Sequence, residues 1–99
     1  MPMTVVVTRD VEDRYRGFLS SVMLELAPGV YTGPRLSRAV RERVWRVLSD
    51  WHCELQRGAI VMTWRETTAP GGQGVLVLGE TRRILADVDG VLLVKRELG

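Results

Sequence analysis

Arginine carries most of the chemistry this chain could do. Of its 14 basic residues 13 are arginine, and Lys95 is the only lysine. A guanidinium can grip phosphate through two parallel hydrogen bonds, which an ammonium cannot. A GC-rich genome would give the same bias, so placement matters more than number. Arg9, Arg14 and Arg16 crowd the end of one apolar run and the start of the next segment, and Arg82-Arg83 follow a later apolar run. Brought to one surface, these five would form a phosphate site. Arg35, Arg38 and Arg41 lie at spacings of three. They read either as a basic stripe or, with Arg43, Arg46, Glu42 and Asp50, as a solvated helix face.

Other chemistry is sparse. Asp10 stands two residues past the first apolar run, where a carboxylate can cap a helix or help hold Mg²⁺. Asp87 and Asp89 fit an Asp-x-Asp-Gly turn better than a metal site. His52-Cys53 has no second ligand pair at zinc spacing and reads as a surface histidine beside a buried thiol. The glycines from Gly71 to Gly74 lack the Lys-Ser/Thr of a phosphate loop. A single cysteine excludes an internal disulfide and fits a reducing cytoplasm. The net charge of +2 makes no global case for nucleic acid. No apolar run approaches the ~20 residues of a membrane span, and no secretory leader is visible.

The elements that must position these residues follow from hydrophobic spacing. Thr4 to Thr8 is an unbroken apolar, β-branched run, expected to be a central strand buried on both faces. Val11 to Ala27 has helical spacing, with Asp10 as its N-cap and Pro28-Gly29 as its stop. Gly17 inside that helix costs about 1 kcal/mol relative to alanine, which hints at close approach by a neighbour. A short strand, Gly29 to Gly33, comes next. Ser37 caps a second helix running to about Gln56 and closed by Gly58. Its apolar face is Leu36, Val40, Val44, Val47, Leu48, Trp51 and Leu55. Ala59 to Arg65 is a strand with Ile60, Met62 and Trp64 on one face. After a flexible Glu66–Gly74 loop, Val75 to Leu78 is its partner. Val91 to Val94 is a last strand with no evident neighbour, a candidate for pairing with another subunit.

The order is strand, helix, strand, helix, strand, strand, strand. It implies one α+β domain over residues 1–99, a ferredoxin-like plait of βαββαβ type with both helices on one sheet face. The extra C-terminal strand is left for a dimer partner.

In this order the chain resembles the Cas-two family of CRISPR adaptation proteins, in particular its type I-E branch. The resemblance runs through Met3-x-Val5-Val6-Val7-Thr8, Arg14-x-Arg16-Gly17-x-Leu19, Glu25, and Gly29-Val30-Tyr31-x-Gly33. It continues through Arg41-Glu42-x-x-Trp45, Val61-Met62-x-Trp64, Leu78-Gly79-x-x-Arg82-Arg83 and Asp87-x-Asp89-Gly90-x-x-Leu93-Val94. It implies a homodimer that sits between dimers of the Cas-one integrase and holds double-stranded protospacer DNA during spacer acquisition. Arg14, Arg16, Arg82 and Arg83 match its DNA-contacting arginines. A further basic contact falls at Ala39 here, with Arg35 or Arg38 as its replacement. Lys95 to Gly99 would contact the partner. Some members are Mg²⁺-dependent endonucleases that use an acid at the end of the first strand. Arg9 stands at that position here and the acid is displaced to Asp10. The expectation is therefore a DNA scaffold, with Asp10 and Mg²⁺ entering only under the nuclease alternative.

Overall fold

A computed structural model describes residues 3–79, 83–88 and 91–96. Its five-stranded antiparallel sheet is ordered β2-β3-β1-β4-β5, with β1 at the centre. The strands are β1 Thr4–Arg9, β2 Leu24–Ala27, β3 Val30–Gly33, β4 Ala59–Arg65 and β5 Gln73–Leu78; the helices are α1 Asp13–Val22 and α2 Arg38–Leu55. Val6 lies opposite Tyr31 on one side and Met62 on the other. These three side chains, with Ile60, meet Tyr15 and Leu19 of α1 and Val44 and Leu48 of α2 in one buried cluster. This is the α+β ferredoxin-like plait the hydrophobic spacing implies.

Three boundaries depart from that reading. The first helix ends at Val22, and Leu24–Ala27 forms β2, which pairs with β3 around Pro28-Gly29. Leu-Glu-Leu-Ala fits strand alternation as well as a helix, and β3 supplies the hydrogen-bonding edge that settles the matter. Leu26 is 61% exposed, so it is not the buried helix position its spacing suggested, and Leu24 is 63% exposed. Asp10 is not the cap of α1. It has φ 56°, and Glu12 holds the N-cap position without a side-chain bond. In α2 the Ser37 hydroxyl does accept from the Val40 amide, at 3.2 Å. The left-handed residue that stops this helix is Gln56, two before Gly58.

The C-terminal region adds an element the sequence reading lacked. β6 Arg83–Val88 pairs antiparallel with β7 Val91–Arg96 in a separate two-stranded sheet. The strand expected to be without a partner therefore has one in its own chain. Asp87 belongs to β6 rather than to a turn, while Arg82, Asp89, Gly90 and residues 97–99 lie outside the described residues. Among the described residues no helix is long and apolar enough to cross a membrane.

The helices cover one face of the sheet only. Thr4 and Val6 are fully buried beneath them, but Val7, on the opposite face, is 42% exposed. Burial of β1 on both faces is thus not met within one protomer. Alternation places Val5, Val7, Val30, Val61, Val75 and Val77 together on the open face. Leu24 and Met3 extend it, and both are exposed.

Candidate nucleic-acid interface

The candidate site begins where β1 ends. The Thr8 amide donates to the Gly29 carbonyl at 2.7 Å, closing the β2–β3 turn onto the strand. On the other side Gly58 approaches so closely that a Cβ there would lie 2.5 Å from the Arg9 carbonyl oxygen and 2.6 Å from that of Asp10. Gly58 also has φ +82°, a left-handed conformation that only glycine adopts readily. His52 Nε2 stands 3.2 Å from the Gly58 carbonyl oxygen, so that nitrogen carries the donated proton. His52 is half-buried and Cys53 exposed, the reverse of the expected arrangement. Arg9 is the last residue of β1 and shares the open face with Val5 and Val7. Asp10 lies beyond the strand and is exposed.

The first turns of α1 hold two arginines on opposite flanks. Arg14 and Arg16 are two positions apart, about 200° around the helix axis, and the fully buried Tyr15 lies between them. The Arg14 guanidinium sits 5.5 Å from the Trp51 ring centroid. Trp51 is itself held edge-on by Tyr15 at 5.3 Å and Phe18 at 5.5 Å. Arg16 donates through Nε to Glu25 at 3.2 Å, with its own side chain 71% exposed and that of Glu25 only 21%. Among the described residues only its Nε is engaged, so the terminal nitrogens can donate outward. Arg57 pairs with Glu12 at 2.9 Å and ties the end of α2 to the start of α1. Burial pushes the Tyr15 phenol above its ordinary pKa against the opposing charge of Arg14. Tyr31 is raised by burial and then by the neighbouring Glu25.

Arg38 belongs to the other end of the molecule. It is the first residue of α2, thirteen before Trp51, which separates it from the Arg14 side by about 20 Å of helix. It pairs with Glu42 at 3.1 Å. Arg35, Arg38 and Arg41 make neither a continuous basic stripe nor a wholly solvated face, because Arg41 turns inward. Arg41 is 6% exposed, and its guanidinium is 4.1 Å from the Trp64 ring centroid. Glu66 accepts from Trp64 Nε1 at 3.4 Å and from the Thr68 hydroxyl at 3.1 Å. These two bonds, then the charges of Arg38 and Arg41, hold its carboxyl below the usual range.

Residues 3–93 match the family model described as CRISPR-associated protein (Cas_Cas2CT1978). The chain belongs to this family. The match covers almost the whole Cas-two chain, from the first strand through the first half of β7. Within it Arg9 ends β1 on the open sheet face, Arg14 and Arg16 lie on opposite flanks of α1, and Arg38 is set apart at the start of α2. Arg83 opens β6, and Arg82 lies outside the described residues. Sequence reasoning missed the two supports, Trp51 beneath Arg14 and Glu25 beside Arg16. Trp51 was assigned to the apolar face of α2, and nothing local to it points at a residue 37 positions earlier.

As for Mg²⁺, one exposed carboxylate at Asp10 does not make a site within a protomer. Among the described residues no three His, Cys, Asp or Glu converge. Glu12, two residues on, is engaged by Arg57.

Proposed function

We propose that this Cas-two protein, of the type I-E branch, is a cytoplasmic homodimeric scaffold that binds double-stranded protospacer DNA. It bridges dimers of the Cas-one integrase during spacer acquisition. The observation that carries the reading is the pair of arginines on α1. Arg14 rests on Trp51 and Arg16 on Glu25, so each guanidinium is oriented before a phosphate arrives. Preordering of that kind lowers the entropic cost of binding. Arg82 and Arg83 would join them, and Arg38 would reach a more distant phosphate. The open sheet face supplies the dimer seam, with Val7, Leu24 and Val77 exposed on it in the single protomer. A second copy would bury β1 on its other side.

Grip rather than cutting follows from Arg9 at the end of β1 and from the lone Asp10 carboxylate. The test is assembly. Co-expressed with its integrase, the protein should co-purify with it and sediment as a dimer when alone. Val7→Glu, at an exposed position, should keep the fold and yield monomer. A wild-type monomer with no integrase association would overturn the proposal.

A further inference from the structure

The groove between α2 and the β4–β5 edge has no part in the site around Arg14. It measures about 400 Å³ and is lined by Arg38, Arg41, Arg46, Trp45, Trp64 and Leu76 together with the carboxylates Glu42 and Glu66. Arg41 is the anomaly in it. A residue as buried as Arg41, only 6% exposed, normally has a carboxylate partner, because desolvating an unpaired charge is costly. Among the described residues Arg41 has no carboxylate within ion-pair distance and makes no side-chain hydrogen bond; its guanidinium stacks on the Trp64 ring, and its charge is felt by Glu66 only from beyond that distance. Both lining carboxylates are already engaged, Glu42 by Arg38 and Glu66 by Trp64 and Thr68. Arg46 likewise lacks an acid within ion-pair distance among the described residues.

From this geometry we infer that the groove binds one nucleotide of a single-stranded nucleic acid, its phosphate on Arg41 and Arg46 and its base on Trp45. Two guanidiniums call for a ligand with acceptors in two directions, which a phosphodiester offers through its two non-bridging oxygens. The half-buried Trp45 indole beside them gives a planar base a stacking surface. A duplex keeps its bases stacked on one another, so the groove selects single strands. It is a second nucleic-acid site, on the first half of α2, whereas Trp51 and Arg14 lie toward the end of that helix. The inference rests on the protein handling nucleic acid, but not on Arg14 or Arg16.

The test is fluorescence anisotropy of a labelled short oligothymidylate, titrated at several salt concentrations. Arg41→Met keeps the apolar volume and should weaken binding about tenfold. It should also lower the log–log salt slope by roughly 0.7, one single-strand contact. Trp45→Leu should weaken binding without changing the slope, which a merely structural role would not produce. Arg14→Ala/Arg16→Ala should weaken duplex binding much more than oligothymidylate binding. Wild-type affinity and slope in a folded Arg41→Met protein would overturn the inference. So would displacement of the oligonucleotide by equimolar inorganic phosphate. If the Arg14/Arg16 variant alone lost binding of both probes, the groove would fail and the scaffold reading would stand.

Discussion

Replacing Gly58 by alanine should damage both the fold and the site, and the size of the effect can be worked from the geometry. The new Cβ would meet two backbone oxygens, those of Arg9 and Asp10, at 2.5 and 2.6 Å. Neither can move aside by a rotamer change. The left-handed backbone at φ +82° adds roughly 1–2 kcal/mol for any residue with a Cβ. With the backbone shift, a total loss of about 2–4 kcal/mol is expected, a large share of the stability of a small domain. Urea unfolding followed by circular dichroism should show the midpoint falling by about 2 M, with the slope unchanged. Gly17→Ala is the internal control, since a Cβ there meets nothing within 4 Å. A Gly58→Ala midpoint within error of wild type would refute the claim that this glycine clamps the end of β1.

Other perturbations separate packing from function. Gly17→Ala should stabilise the chain by about 0.5–1 kcal/mol, because glycine in a helix interior is costly. Its duplex affinity should nevertheless fall if a DNA backbone passes close over α1, as gel-shift titration would show. Among the described residues the buried Tyr15 hydroxyl has no hydrogen-bond partner. Tyr15→Phe should therefore raise the thermal midpoint, by roughly 4–8 °C for about 1 kcal/mol recovered; a fall would mean the hydroxyl is satisfied. Tyr15 and Tyr31 are both raised above the ordinary value of 10.0 in the folded state. The stability they contribute is thus complete below pH 10 and lost as pH rises through their folded values. Alkaline unfolding should shift to higher pH in a Tyr15→Phe/Tyr31→Phe protein, read by tryptophan fluorescence. Ser37→Ala removes the bond to Val40 and should cost about 1 kcal/mol in a urea melt.

How much of this was legible in the sequence depended on whether the signal was local. The run Val5-Val6-Val7 marked the central strand, Ser37 marked the start of α2, and Ala59 to Arg65 gave β4 to the residue. Leu24 to Ala27 was misread because helical spacing and strand alternation coincide over four residues, and only pairing with β3 decides between them. β6 was invisible for a related reason: Arg83–Val88 mixes charge and apolar residues, and its identity as a strand depends on β7. For the site, the arginine sequence was plain but its sorting was not. Arg41 looked like its neighbours in spacing and is buried instead, because Trp64, on a distant strand, provides a ring for it to stack on. The supports of Arg14 and Arg16 likewise come from α2 and β2, and no spacing within α1 encodes them.

The central claim is that oriented arginines on α1 grip duplex phosphates. Its most direct test is the salt dependence of binding to a short DNA duplex, compared between wild type and Arg14→Ala/Arg16→Ala. Each lost phosphate contact should lower the log–log slope by about 0.9, so four losses across a dimer lower it by up to about 3.6. A shallower slope with weaker binding is the predicted result. Equal slopes and affinities in a folded variant would contradict it.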